Sequence, residues 1–133
     1  MMNVKTNALV NAYLGDAIYE LYIRNFLINK GIIKVKELQK ESISYVSAKR
    51  QALFLKEMID NNFFTEEEQV IIKNARNHKS HSNKSTDIIT YKHATALESI
   101  IGYYYLNNNY KRINEIMKYI LKEDISCIFM EKM

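Results

Sequence analysis

The chain has 133 residues, 47% of them hydrophobic, and a formal net charge of +4, so it is long enough to form one domain with a buried core. No apolar run approaches the roughly 20 residues that a membrane-spanning helix requires, and no basic-then-apolar targeting segment stands at the start. The single cysteine, Cys127, excludes an intrachain disulfide and agrees with a reducing compartment. We therefore expect one domain over residues 1–133, located in the cytoplasm and away from membranes. The small positive charge permits a polyanionic partner but does not by itself indicate one.

Apolar side chains recur at helical spacing through most of the chain, and no alternating pattern typical of a strand competes with them. Thr65 and Glu68 match a capping box that begins one of these helices, and Gly31 suits the left-handed position that ends the first. We therefore predict an all-α fold. The predicted helices are 7–28, 35–40, 44–61, the segment after Thr65 that runs into 75–78, 91–106 and 110–122.

Asp16 occupies an unusual place for an acid within the first predicted helix. Its neighbours one turn away are Ala12, Tyr13, Tyr19 and Glu20, so most of this face is apolar or aromatic. An unpaired carboxylate on such a face costs several kcal/mol, on the order of the penalty for any desolvated ion. We therefore expect the Asp16 carboxylate to be paired, hydrogen-bonded or bound to a metal.

Glu98 repeats this pattern in the helix predicted over 91–106, with small or apolar residues one turn away on either side. Each acid also stands near a glycine, Gly15 or Gly102, although the chain has only 3 glycines. Glycine inside a helix costs roughly 1 kcal/mol relative to alanine, so its presence indicates the close approach of another backbone. We therefore expect the two helices to cross at these glycines and to bring Asp16 and Glu98 into one site. Two converging carboxylates are what Mg²⁺ requires from a protein, with waters and a substrate phosphate as its other ligands.

Four motifs extend this pattern in order along the chain. They are YLGDAIYELY at 13–22, YVSAKRQA at 45–52, ARNHKS at 75–80 and TYKHATALESIIGYYYL at 90–106. Together they resemble Mini-ribonuclease III, the compact branch of the ribonuclease III family that lacks a double-stranded-RNA-binding domain. The resemblance implies an all-α endonuclease domain that acts as a homodimer and uses Mg²⁺ to cut double-stranded RNA, leaving 5′-phosphate and 3′-hydroxyl ends. In this family the substrate is typically precursor large-subunit (23S) ribosomal RNA, and a ribosomal protein that presents the RNA is a candidate partner.

The resemblance also implies roles for the two acids. By position, Asp16 matches the essential aspartate of the GDA motif and Glu98 the essential glutamate of the second acidic motif, which makes both of them catalytic residues and metal ligands. Full-length ribonuclease III carries further acids near these positions, where this chain has Leu9, Ala12 and Thr95. This departure is similar to the Mini branch and argues against a scheme with four carboxylates and two metals.

Basic and polar residues between the last two motifs are the expected RNA contacts, since duplex RNA is recognised mainly through phosphates and 2′-hydroxyls. Such a charged segment can equally be a solvated loop. The histidines at 78, 81 and 93 match no spacing of a closed zinc site, so we do not predict one. The candidate RNA-binding residues are Arg76, Asn77, Lys79, Ser80, Lys84 and Lys92.

Two alternative functions stay open at this point. A catalytically idle RNA-binding or ribosome-associated scaffold of the same fold would explain the missing acids, although both Asp16 and Glu98 are retained. A helical adaptor unrelated to RNA would leave the two acids beside glycines unexplained. Within the enzyme hypothesis, Glu20 is either an outer participant or a surface residue in a salt bridge. Ser47 and Lys49 contact the RNA, the partner subunit or a neighbouring helix.

Overall fold

The computed structural model describes residues 6–78 and 87–130, and within these ranges the chain forms six α-helices. The same ranges contain no strand, which confirms the predicted all-α fold. None of these helices is long and apolar enough to cross a lipid bilayer. The helices are α1 (Ala8–Asn29), α2 (Val35–Val46), α3 (Ala48–Asp60), α4 (Glu66–Arg76), α5 (Ile88–Leu106) and α6 (Tyr110–Leu121).

The helices α1 and α5 form the centre of the domain. Both contribute fully buried side chains to one hydrophobic core, among them Tyr19 from α1 and Leu97 from α5. Burying one such side chain stabilises the fold by roughly 1.5–3 kcal/mol. From position 94 to position 102 every residue of α5 is buried except Glu98, which is only partly buried. Glu98 is therefore the one residue in this stretch of α5 whose side chain is partly accessible to solvent.

The helix predicted over 44–61 is wrong as a single element, because the backbone breaks at Ser47. This residue has an extended conformation (φ −63°, ψ 149°), and its hydroxyl oxygen accepts a hydrogen bond from the Arg50 backbone N–H at 3.2 Å. Serine is a preferred N-cap because its hydroxyl satisfies a backbone donor that the helix itself leaves unpaired. The preceding helix, predicted to end at Lys40, continues instead to Val46. Two helices, α2 and α3, therefore replace the predicted long one.

Two other predicted helix ends are confirmed by their capping interactions, and the predicted start of the fifth helix is wrong. Thr65 and Glu68 form both hydrogen bonds of the capping box at the start of α4. Gly31 has φ +93°, a left-handed conformation that favours glycine after the end of α1. The fifth helix begins at Ile88, before the predicted position 91, because the Asp87 side chain accepts a hydrogen bond from the backbone of its first turn.

An ion pair between Glu68 and Arg112 connects α4 to α6. The buried Glu68 carboxylate accepts hydrogen bonds from Arg112 Nε and Nη2, both at 2.7 Å, and from the Tyr104 hydroxyl. Arg112 Nη2 also donates to the Phe63 carbonyl oxygen at 3.1 Å. Burial tends to raise the pKa of the Glu68 carboxyl, but hydrogen bonds from Arg112, Tyr104 and the Thr65 backbone outweigh it and lower the pKa to about 2. The carboxylate is therefore charged at neutral pH.

Replacing Glu68 by glutamine is expected to destabilise the domain by about 3 kcal/mol, since it leaves the partly buried Arg112 guanidinium with only the more exposed Glu115 as a counter-charge. The lost stability should depend on pH. Because the folded-state pKa of Glu68 is lowered, its contribution is complete above the unfolded value of 4.5 and is lost as the pH falls towards 2. Urea unfolding should therefore show a difference between wild type and Glu68→Gln that narrows in acid.

Glu115 provides the matched control for this prediction. Its carboxylate also contacts Arg112, at 3.0 Å, but 44% of its side chain is exposed. An exposed ion pair contributes about 0–1 kcal/mol, so Glu115→Gln should be close to wild type. Equal losses in the two variants, or a difference that acid leaves unchanged, would contradict the assignment.

Candidate active site

The helices α1 and α5 cross at Gly15 and Gly102, as predicted. A β-carbon added to Gly15 would stand 2.6 Å from the carbonyl carbon of Glu98, and one added to Gly102 would stand 2.7 Å from that of Asn11. Both separations are far inside van der Waals contact, so only glycine permits the two backbones to approach so closely. Asp16 directly follows Gly15, and the carbonyl that faces Gly15 belongs to Glu98. The crossing therefore brings the two acids together.

The carboxyl groups of Asp16 and Glu98 are close enough at the edge of this crossing for Asp16 to raise the pKa of Glu98. Asp16 is exposed and Glu98 is partly buried, so the prediction that Asp16 lies on a desolvated face is wrong. The reason is the orientation of α1. Tyr19 is fully buried, but Tyr13 faces solvent with 85% of its surface exposed, and Asp16 lies between these two sides of the helix. The acid pair is accessible to water and to a ligand.

Of the two acids, Glu98 is the one whose pKa is raised. Burial is the largest cause that raises its pKa, and the hydrogen bond and negative charge of Asp16 add to it, giving a value of about 9. A hydrogen bond from Gln51 opposes this rise, and the charge of Glu20 adds to it. Without a cation, the Glu98 carboxyl group therefore holds a proton at neutral pH. A divalent cation would replace this proton, because both carboxylates then become ligands instead of repelling each other.

The donor set of this site suits Mg²⁺. Mg²⁺ in enzymes is commonly held by one or two carboxylates, and waters and substrate phosphate complete its octahedron. Across residues 6–78 and 87–130, no group of three or more His, Cys, Asp or Glu side chains is arranged to hold a metal. Two of the positions that hold further acids in full-length ribonuclease III, Ala12 and Thr95, are buried here, with 7% of each exposed. The pair Asp16 and Glu98 would thus bind the ion with help from substrate and water.

Helix α3 supplies a polar contact that sequence reasoning missed. Gln51 is 2% exposed, and its side-chain amide donates a hydrogen bond to Glu98 Oε2 at 3.3 Å. The residue belongs to the YVSAKRQA motif, which is the signal that could have drawn attention to it. Glu98 is therefore held between Asp16 of α1 and Gln51 of α3.

Glu20 stands one turn after Asp16 and forms a salt bridge on the surface of α1. Its Oε1 atom lies 3.2 Å from Arg24 Nη2, and its charge also contributes to the raised pKa of Glu98. Exposed pairs at this helical spacing are worth only about 0.3–0.5 kcal/mol, so the contact holds Glu20 weakly. Glu20 thus forms a salt bridge and also lies near the acid pair. Its participation in the active site, outside the metal ligands themselves, stays a prediction.

Three of the six predicted RNA-binding residues fall within the described part of the chain. Arg76 is the last residue of α4, Asn77 is its C-cap, and Lys92 lies near the start of α5. Within that part of the chain neither Arg76 nor Lys92 forms a salt bridge with an acid. The other three, Lys79, Ser80 and Lys84, lie in the stretch 79–86, outside the described residues.

A groove lined by apolar residues and by three lysine or arginine side chains runs between α3, the end of α4 and the start of α5. Its side chains include Lys49, Lys56, Arg76 and His93, and the described residues that line it include no acid. The groove and the surroundings of Glu98 are formed in part by the same two helices, since α3 contributes Lys49 to the groove and Gln51 to Glu98, and α5 contributes His93 and Glu98. Sequence reasoning named Arg76 and Lys49 but missed Lys56, because only the fold places that lysine on the same surface. The groove could accept a polyanion that reaches the acid pair.

Comparison with known proteins agrees with this arrangement. Residues 10–109 match the Ribonuclease III domain family. A Mini-ribonuclease 3 from Brevibacillus brevis is 47% identical over 114 residues, which cover 85% of this chain and 84% of that protein. Another from Enterococcus faecalis is 42% identical over 118 residues, which cover 88% of this chain and 89% of that protein. The X-ray crystal structure of a Fusobacterium nucleatum protein has a TM-score of 0.78 at 38% identity, covering 88% of this chain and 94% of that one.

The all-α fold and the Ribonuclease III domain together define an endoribonuclease, an enzyme that cuts RNA internally. Within that class, the chain belongs to the Mini-ribonuclease 3 family. The matched range includes both Asp16 and Glu98. The first resemblance drawn from the four motifs is thereby confirmed.

Proposed function

We propose that this endoribonuclease cuts double-stranded RNA with Mg²⁺ held by Asp16 and Glu98. The observation that carries the proposal is the contact between two carboxyl groups at the crossing of α1 and α5. Such a pair suits a divalent cation, and the lysine and arginine side chains of the groove suit a nucleic acid.

The chemistry divides between the ion and the protein. When bound, Mg²⁺ lowers the pKa of a water and neutralises charge that develops on the phosphate oxygens. Asp16 and Glu98 hold the ion, and cationic side chains orient the phosphate. Water adds to phosphorus, the bond from phosphorus to O3′ breaks, and O3′ takes up a proton. The products carry a 5′-phosphate and a 3′-hydroxyl.

A second copy of the chain is the partner that cutting both strands of a duplex requires. The exposed side of α1 carries apolar side chains: Val10 is 47% exposed, Tyr13 85% and Leu21 44%. Exposed apolar side chains gathered on one face are typical of an interaction surface. Because Tyr13 lies one turn before Asp16, a two-fold dimer formed through this face would bring two active sites close together and give a staggered cut.

Precursor 23S ribosomal RNA, cut in the cytoplasm at a paired stalk, is the substrate we favour. A paired stalk offers its phosphates and 2′-hydroxyls at the surface, while its base edges are largely hidden. A groove lined by lysine, arginine and histidine matches that chemistry. A ribosomal protein that presents the stalk is the further partner this substrate implies.

Cleavage of a long double-stranded RNA by the purified protein tests the proposal. Wild type should cut the RNA with Mg²⁺ and stop when a chelator is added. Asp16→Asn should bind the RNA and fail to cut it, whereas Asp60→Asn, which changes an exposed acid at the end of α3, should cut normally. Near-normal cutting by Asp16→Asn in saturating Mg²⁺ would show that the metal assignment is wrong. Binding without cutting in every metal tried, on a ribosomal stalk as well, would favour an idle scaffold.

Replacing Arg76 by glutamine should weaken the binding of duplex RNA by a similar factor for every sequence, because the residue lines the groove and contacts no base in this scheme. The slope of log affinity against log salt concentration should decrease by about 1, since one fewer counterion is released. Lys79→Gln and Lys84→Gln should act in the same direction. Filter binding at several salt concentrations measures both quantities.

Lys118→Gln is the matched control for the loss of one cation. Lys118 is on α6 and pairs with Asp124 at 3.0 Å, away from the residues that line the groove. Its variant should bind RNA as wild type does and keep the wild-type salt slope. If Arg76→Gln also kept the wild-type salt slope, Arg76 would not be part of the RNA interface.

A further inference from the structure

Gln51 has no part in the chemistry described above, although it is 2% exposed and contacts one of the two acids. A buried side-chain amide costs free energy unless its groups are hydrogen-bonded. In the described ranges every buried side-chain nitrogen or oxygen has a partner, and the Nε2 atom of Gln51 has Glu98 Oε2. The contact therefore satisfies a buried polar group and constrains Glu98 at the same time.

The backbone break at Ser47 places Gln51 against Glu98. Ser47 caps α3, and its carbonyl oxygen accepts a hydrogen bond from the Gln51 backbone N–H at 2.9 Å. Just before the break, the Tyr45 carbonyl oxygen accepts a hydrogen bond from the buried Tyr19 hydroxyl of α1 at 2.6 Å. A hydrogen bond from α1 thus holds the backbone just before α3. The Ser47 cap then sets where α3 begins, and so which side of that helix Gln51 occupies.

The Gln51 amide supplies a neutral hydrogen-bond donor to a carboxyl group whose charged neighbours are themselves acids. Asp16 and Glu20, both on α1, add negative charge near its carboxyl. An amide that donates to Oε2 restricts the rotation of the Glu98 carboxyl group and leaves Oε1 for another partner. Residues that hold a metal-binding side chain in this way are typically worth about 10–100-fold in metal affinity or activity.

We infer that Gln51 is a positioning residue, which holds the Glu98 carboxylate in the orientation that binds a divalent cation together with Asp16. The inference rests on the proposed function only in taking Glu98 as a metal ligand. If Gln51 merely filled space in the core, an apolar side chain of the same length would serve equally well.

Two variants remove the contact in different ways. Gln51→Met keeps an unbranched side chain of similar length without a donor, and Gln51→Asn keeps the amide but withdraws it by one methylene. Electron paramagnetic resonance of Mn²⁺ measures binding to the RNA-free protein and does not depend on activity. We expect both variants to bind Mn²⁺ about 10–100-fold more weakly. The Mg²⁺ concentration for half-maximal cutting should rise by the same factor, and RNA affinity in chelator should not change.

Asn114→Leu is the matched control, because Asn114 is a second buried amide, on α6. Its Oδ1 atom accepts a hydrogen bond from the Tyr22 hydroxyl at 3.2 Å. This variant should lower the melting temperature and leave Mn²⁺ affinity unchanged. Circular dichroism identifies which Gln51 variants are folded. Wild-type Mn²⁺ affinity in a folded Gln51→Met or Gln51→Asn protein would overturn the inference.

The inference and the proposed function fail in distinguishable ways. If wild type cuts duplex RNA and the Gln51 variants bind Mn²⁺ normally, only the inference is overturned. If wild type binds Mn²⁺ but does not cut, the proposed function is overturned, and weaker Mn²⁺ binding by the variants still supports the role of Gln51. If wild type neither binds Mn²⁺ nor cuts duplex RNA, both are overturned.

Discussion

Glu98→Gln is expected to abolish cutting of duplex RNA while it makes the metal-free protein more stable. Glutamine keeps the length of the side chain but loses the charge that binds Mg²⁺. Loss of a group that stabilises charge in the transition state costs on the order of 10³-fold in rate. In the metal-free wild type the raised pKa of Glu98 means that this carboxyl group must hold a proton when the protein folds at neutral pH, and glutamine removes that cost. Activity and stability should therefore move in opposite directions, which a general defect in folding would not produce.

The gain in stability should depend on pH. Because the folded-state pKa of Glu98 lies near 9, the stability that its carboxyl provides is complete below the unfolded value of 4.5 and is lost as the pH rises towards 9. In chelator, wild type should therefore become progressively less stable than Glu98→Gln through this range. Adding Mg²⁺ should raise the melting temperature of wild type and leave that of the variant unchanged. A variant less stable than wild type at alkaline pH, without metal, would contradict the crowding of the two acids.

The central crossing could be predicted from sequence because its determinants are local. Gly15 and Gly102 each stand within a helix whose apolar spacing is clear, so each glycine needs an explanation other than a turn. Each glycine also stands near an acid, which indicated that the crossing brings two carboxyl groups into one active site. Helix ends marked by a cap, such as Thr65 with Glu68, were predictable for the same reason.

The contact between Gln51 and Glu98 could not be predicted, because it depends on a break that local sequence does not require. Ser47 stands in a run whose apolar spacing continues on both sides, and serine is tolerated inside a helix. The Tyr19 hydroxyl, 26 residues from Tyr45 along the chain, helps to fix the backbone there. A long-range hydrogen bond of this kind is absent from any helical pattern.

The exposure of Asp16 could not be predicted from the sequence either. Helical periodicity identifies which residues are neighbours, but it does not show which side of α1 the other helices cover. The structure buries the side with Tyr19 and Tyr22 and leaves the side with Tyr13 open. An aromatic side chain is thus no guide to burial at this position. On a helix that faces a second copy of the chain, an exposed tyrosine beside the active site has a ready explanation in the proposed dimer.

Gly15→Ala and Gly102→Ala are expected to prevent formation of the native fold. In an ordinary helix this change stabilises by roughly 1 kcal/mol. Here the new β-carbon would stand 2.6 Å from the Glu98 carbonyl carbon in one case and 2.7 Å from the Asn11 carbonyl carbon in the other. Backbone atoms within a helix cannot rotate aside as a side chain can, so α1 and α5 would have to separate and open the core between them. We expect a loss above about 4 kcal/mol, a large part of a typical domain's net stability.

Gly31→Ala separates the effect of space from the effect of conformation. Gly31 has φ +93°, but nothing lies within 4 Å of an added β-carbon, so its replacement costs only the left-handed backbone, about 1–2 kcal/mol. Urea unfolding should rank Gly31→Ala close to wild type and far above Gly15→Ala and Gly102→Ala. Because the same crossing brings Asp16 to Glu98, any residual folded Gly15→Ala protein should bind Mn²⁺ poorly. Wild-type stability in Gly15→Ala would show that the helices cross at a greater distance, and the acid pair would then lose its structural basis.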